Sequence, residues 1–168
     1  MQVDFYGYAG DCTISGRLDL TAGRLSEMLE RADGIVVHGA TLTGLHGEPE
    51  RRLAQLTLGR EDLFAVEATE PPPGGARRIH MVRHLIRLHC GPYTVLGELH
   101  ALPGAPPLRG MLARRSVVPL TACTVTFARA GRLELRRAPV VIVNGWRIDR
   151  AEPASVDDFD AGRAASEA

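Results

Sequence analysis

The 168-residue sequence predicts a mainly β protein: two homologous small five-stranded barrel modules in tandem, each with one short helix. Three observations predict it. The chain resembles itself at a nearly fixed offset. Strand-like alternation recurs inside each copy. A Pro/Gly run, Pro71-Pro72-Pro73-Gly74-Gly75, interrupts the chain between the copies, where neither strand nor helix can continue.

The repeat is clearest where Leu25-Ser26-Glu27-Met28-Leu29-Glu30-Arg31 lies over Leu108-Arg109-Gly110-Met111-Leu112-Ala113-Arg114, an offset of 83 (108 − 25). Without a gap, Ile35 to Thr43 then lies over Val118 to Thr126. Upstream, Thr13 to Leu18 matches Thr94 to Leu99. Downstream, Phe64 to Pro71 matches Trp146 to Pro153, which sets Phe64 over Trp146. The boundaries are module one over 1–71, a linker over 72–77, module two over 78–153 and a tail over 154–168. The tail is Ala, Asp, Ser and Glu with one Phe, and its composition predicts disorder.

Each element follows from local chemistry. Val3 to Tyr8 before Gly10, and Leu85 to His89 before Gly91, are strand-like runs with a Gly break. With Thr13 to Leu20 and Tyr93 to Ala101 they make an opening hairpin in each module. Leu25, Met28 and Leu29 fall at i, i+3 and i+4, as do Leu108, Met111 and Leu112, and predict the short helices. Gly34 to Leu45 and Val117 to Ala128 read as long strands. Val140-Val141-Ile142-Val143 reads as a buried strand, Asn144-Gly145 as a tight hairpin turn and Trp146 to Asp149 as the closing strand. Glu61-Asp62 holds the corresponding turn of module one. Five short strands in so few residues usually curl into a small barrel. Residues 79–90 remain open between strand and helix, since Ile79, Val82, Leu85 and Ile86 partly fit a helical face.

The closing pattern, an aliphatic strand, Asn-Gly and a short strand with Ile, resembles the end of Sm-like (SH3-like) small barrels. The Arg24-Leu25-Ser26-Glu27-Met28-Leu29 element and the Val118-Pro119-Leu120-Thr121 strand are similar to those of a set of bacterial proteins with an "RLSDxLN" helix and a "PLT" strand. The chain departs from that pattern at Pro107-Leu108-Arg109-Gly110 and at Val36-Val37-His38. The resemblance implies a fold and no activity. The uridine-binding residues of true Sm proteins have no counterpart, so none is carried over.

Composition narrows the function classes. No apolar run approaches the roughly 18 residues of a membrane span, and the start, Met1 to Phe5, has no signal-peptide pattern. The expectation is a cytoplasmic protein without membrane contact. Cys12, Cys90 and Cys123 are an odd set without a CxxC pair and read as reduced buried thiols. All 20 basic residues are Arg, as a GC-rich genome would give.

The formal net charge of zero hides a division. Residues 1–70 hold six Arg against twelve acids, −6; residues 71–153 hold thirteen Arg against four acids, +9; the tail is −3. Three readings of this division stand side by side. The halves bury opposite charges against each other; or the acidic module of one chain meets the basic module of the next or an unlike protein; or the basic module binds RNA or another polyanion.

The candidate interaction patch is Arg83, Arg87, Arg136, Arg137, Arg147 and Trp146, with Trp146 more readily a core or interface position because it aligns with Phe64. His80, His84, His89, Cys90 and His100 cluster in sequence, but no second ligand pair stands at zinc-finger spacing, so no metal and no cofactor is assigned. GxSxG, HExxH, GxxxxGK[ST] and GxGxxG are all missing. The sequence therefore favours a non-catalytic interaction or assembly module, self-associating or binding a protein partner. RNA binding through the second module is the alternative.

Overall fold

The computed structural model describes residues 2–20, 25–30, 34–68, 81–104, 106, 108–109 and 116–167. The first half contains β1 (Gln2–Ala9), β2 (Cys12–Asp19), α1 (Leu25–Glu30), β3 (Ile35–Gly44), β4 (Arg51–Leu58) and β5 (Leu63–Ala68). The second contains β6 (Val82–Cys90), β7 (Tyr93–Ala101), β8 (Val117–Arg129), β9 (Arg132–Asn144) and β10 (Arg150–Pro153), followed by α2 (Val156–Glu167). Residues 82–90 are thus strand. Leu108 and Arg109 are helical; the rest of the second helix, the 72–77 linker and His80 lie outside the described residues. No described helix is long and apolar enough to cross a membrane.

The ten described strands form one antiparallel sheet in the order β10-β6-β7-β8-β9-β5-β1-β2-β3-β4. Both halves run in the same internal order, fifth strand first and then first to fourth. The two expected five-stranded barrel modules are not closed barrels but parts of this one sheet. The outer edge of β5 is taken by β9, through Ala65↔Val143, Val66↔Ile142, Glu67↔Val141 and Ala68↔Val140. Neither half therefore closes on itself, and β4 and β10 are the two ends of the sheet.

Registers give the equivalences between halves. Ile35 faces Leu58 as Val118 faces Val143, and Leu42 faces Arg51 as Val125 faces Arg136. The offset is 83 along β3 and β8 (118 − 35) but 85 along β4 and β9 (143 − 58). Tyr6 faces Glu67 as Arg87 faces Glu152, so 85 holds at the last strand as well (152 − 67). The pairing of Phe64 with Trp146 is corrected: Phe64 corresponds to Asp149, and Trp146 is 60% exposed.

Each half kinks at the same point. Pairing of β2 with β3 shifts between Ser15 and Arg17, and that of β7 with β8 between Leu96 and Glu98. Gly16 and Gly97 stand there because a Cβ would meet Val37 Cγ1 at 2.5 Å in one case and Cys123 Sγ at 2.9 Å in the other. On the partner strands, Gly39 (φ 57°) and Ala122 (φ 50°) are both left-handed, as bulges require.

The core lies in two clusters, each borrowing from the other half. Val141 and Val143 of β9 enter the cluster of Leu88, Val95, Leu120 and Val125; Val140 and Ile142 enter that of Ile14, Leu18, Val37 and Leu63. A strand buried on both faces needs apolar residues without alternation, which is why 140–143 is a continuous aliphatic run. Removing each such side chain from water contributes roughly 1.5–3 kcal/mol.

The chain past β9 differs from expectation. Asn144-Gly145 is not a two-residue hairpin turn. The Asn144 side chain accepts from Trp146 N–H (3.1 Å) and donates to Arg60 O and Leu63 O (both 3.0 Å), starting a 3-10 turn over Gly145–Arg147. The closing strand is therefore Arg150–Pro153, and it pairs with β6 rather than β9. The tail, expected to be disordered, is helical in α2. Ser155 caps it: Asp158 N–H donates to Ser155 O, while Asp158 Oδ2 accepts from Ser155 N–H (2.7 Å) and Oγ–H (3.0 Å).

Candidate functional site

A long strand, a shared junction and a short capped strand lie along the sheet, and their polar side chains separate their roles. At the junction the central residue is Glu67 on β5. Its Oε1 accepts from Tyr8 O–H (2.5 Å) and Arg136 Nε–H (2.9 Å), and its Oε2 accepts from Arg136 Nη2–H (3.1 Å). Arg136 comes from β9, on the far side of the junction, and its guanidinium lies 3.6 Å from the centre of the Tyr6 ring. A two-pronged Arg–carboxylate pair fixes register as well as charge. Burial, then the Glu67 charge and hydrogen bond, push the Tyr8 phenol far above its ordinary range; the Glu67 bond holds the Arg136 guanidinium more firmly protonated.

Tyr93 and Arg129 tie the halves together elsewhere. Tyr93 O–H donates to Ala9 O (2.5 Å) and lies 3.2 Å from Cys12 O. Arg129 donates to Thr43 O, Gly44 O and Thr13 Oγ1, while Glu134 accepts from its Nε–H at 2.7 Å.

At the β10 end, Glu152 takes the place of Glu67. It is met by Arg87 (3.1 Å), His89 (3.2 Å) and Arg150 (2.8 Å) of its own half. Arg87 also holds Asp158 of α2 at 2.7 Å. The His89 and Arg87 contacts keep the Glu152 carboxyl below its ordinary range. The Ser155 N–H, then Arg87, bring Asp158 down to about 2. Ala154 N–H donates to Leu85 O, so the odd-numbered backbone groups of β10 face outward, and the outward Pro153 has no N–H to offer.

The β4 end is different. Eight residues without proline form an edge with no strand beyond it among the described residues, and Arg51, Arg52, Ala54, Gln55 and Thr57 are exposed. Arg52 pairs with Glu50 at 3.1 Å, whereas no ion pair to Arg51 occurs among the described residues.

The expected arginine patch is distributed over the sheet. Arg83 and Arg87 stand on β6, and Arg136 and Arg137 on β9, with β7 and β8 between them. Arg83 faces Glu98 at 3.6 Å, and Arg147 donates to Glu61 O beside the Phe64 ring. Sequence reasoning singled out Arg136 and missed Glu67, its partner, and Arg51, its equivalent. The doublets Arg51-Arg52 and Arg136-Arg137 were the available signal, hidden by an alignment at 82.

Among the histidines, His89 meets Glu152 and His100 Nε2 meets Thr121 Oγ1 at 2.8 Å. No three metal-ligating side chains converge among the described residues. Burial pushes the Cys12 thiol up to about 11 and those of Cys90 and Cys123 up to about 12, which makes them poor nucleophiles. A depression lined by Leu29, Leu63, Val66, Ile142 and Arg60 is mainly apolar and gathers no acid–base pair.

No protein-family model, curated protein or solved structure matches the chain.

Proposed function

We propose that the chain is a non-catalytic protein-interaction module, built from two copies of one five-stranded Sm-like unit, that engages another polypeptide by adding a strand to an open sheet edge. The observation that carries this is the β5–β9 junction. There one unit already receives a strand of the other, with a registered ladder and the Arg136–Glu67 clamp. An equivalent strand, β4, ends the sheet and is left open among the described residues. Strand addition supplies affinity through main-chain hydrogen bonds and selectivity through alternate side chains.

Equal strand order and equivalent registers support the duplicated unit. The charge division supports encounter between the acidic half and a cationic surface, whether of a second copy or of another protein. The setting we infer is the cytoplasm, in keeping with three unpaired cysteines.

Light scattering behind size exclusion, read at 260 and 280 nm on the same peak, tests the reading against polyanion binding. The expected peak carries a protein-only absorbance ratio. Thr57→Pro, on the exposed β4 edge, should keep the fold and lose whatever protein association the wild type shows. Co-purifying nucleic acid whose affinity falls steeply with salt would overturn the reading in favour of polyanion binding.

A further inference from the structure

Resting on the strand-addition reading, the register assigns the occupant of the β4 edge. We infer that β4 docks an extended segment of a partner protein carrying a single glutamate among small apolar residues, with that glutamate seated on Arg51.

The argument starts from equivalence. β4 stands to β3 as β9 stands to β8: Leu58 corresponds to Val143, Leu56 to Val141, Leu53 to Ala138 and Arg51 to Arg136. What an edge of this type accepts is displayed at the junction. There β9 receives Ala65-Val66-Glu67-Ala68, antiparallel, with Arg136 reaching the one carboxylate. Arg51 is that same arginine with its carboxylate missing. It is exposed, at the end of a strand long enough to carry the full four-residue ladder.

The chain's own β10 is a poor occupant. It spans four residues, its outward Pro153 removes one ladder donor, and Glu152 is already surrounded by Arg87, Arg150 and His89. A further cationic group on that carboxylate would be repelled by Arg87 and Arg150. The tail also clamps this end, through Asp158 on Arg87. An edge blunted in this way resists pairing with copies of itself. The occupant of β4 is therefore a foreign strand. Because the receiving half carries −6, flanks that are basic raise its encounter rate.

The probe is a fluorescent peptide of residues 63–68, Leu-Phe-Ala-Val-Glu-Ala, with two arginines added at each end, titrated into the full chain. Anisotropy should rise on binding. Arg51→Glu should weaken binding about tenfold, and a peptide with Arg in place of its Glu should recover binding to that variant. Thr57→Pro should abolish both, with circular dichroism confirming the fold. Peptide binding indifferent to Arg51→Glu overturns the glutamate seat while leaving strand addition standing. A wild-type chain that ignores the peptide but forms multiples of 18.2 kDa, lost in Arg51→Glu, overturns the foreign occupant in favour of a second copy. A chain that binds neither peptide nor itself overturns both the inference and the strand-addition reading.

Discussion

Glu67 and Glu152 occupy the same point of two like-ordered halves and answer to different partners. Glu67 is inside the sheet and is completed from across the junction by Arg136. Glu152 is at the sheet's end and is completed from within its own half by Arg87, His89 and Arg150. Tyr6 and Tyr8 of β1 stand beside the first; Arg87 and His89 stand at the corresponding places of β6 beside the second. The difference shows how a strand in the same place of the order can be an interface in one half and a terminus in the other. An edge carboxylate satisfied at home has no need of a neighbour.

The sharpest way to break the comparison is to delete each carboxylate. Glu67→Ala strips the buried Tyr8 hydroxyl of its acceptor and leaves Arg136 half-exposed and unpaired. It should lower stability by about 3 kcal/mol, measured by denaturant unfolding. Glu152→Ala leaves Arg87, His89 and Arg150 in solvent contact, and the midpoint should move much less. Equal shifts would mean that the junction clamp is no stronger than the terminal one.

A second pair compares the kinks. Gly16→Ala drives a Cβ to 2.5 Å from Val37 Cγ1 and 2.9 Å from the His38 carbonyl. Gly97→Ala meets Cys123 Sγ at 2.9 Å and Leu120 Cβ at 3.0 Å, with room for the sulfur to move. We expect losses of about 3 and about 1 kcal/mol respectively, the range for overpacked cores, read from thermal melts. The reverse order would place the rigid half on the other side of the junction.

Smaller still, Ala122 sits left-handed where its counterpart is Gly39. Ala122→Gly should raise stability by about 1 kcal/mol through relief of that strain, a shift of a few degrees in melting temperature. A loss would show that the Ala122 side chain contributes more than its backbone costs.

The mildest effect is on pH. Asp158 and Glu152 have carboxyls lowered in the folded protein, so the unfolded chain binds more protons in acid. Their contribution is full above the unfolded carboxyl range, near pH 4, and is lost as pH falls toward about 2 for Asp158. Amide protection in α2, taken relative to the intrinsic exchange rate at each pH, should fall over that window. In Asp158→Asn the lower protection should already be present at neutral pH.

Much of the fold was legible because it rests on local signals. The two opening hairpins turn at Gly10 and Gly91, α1 follows its i, i+3, i+4 spacing, and β3 and β8 fall within a residue or two of their expected limits. The joining of the halves was not legible. Which edge β9 takes is decided by packing on both of its faces, and a run of four aliphatic residues looks the same in either arrangement. The offset changes from 83 to 85 between β8 and β9, and the chance agreement of Glu70-Pro71 with Glu152-Pro153 drew the downstream match to 82. Asn144-Gly145 carries a turn signal, but the Asn side chain serves carbonyls of the other half. The helical tail did have a signal, Ser155 with Asp158 three residues on, masked by a composition typical of disorder.

Sharing β9 between two cores also sets an order on synthesis. Leu63 and Val66 lie against Val140 and Ile142, residues that leave the ribosome some 75 positions later. Until then the first half emerges with β5 uncovered along one side, an apolar edge in need of a strand. Closing that distance is a long-range contact, of the kind that slows folding most. In the nascent first half the outer edge of β5 is therefore without its strand until β9 has been made.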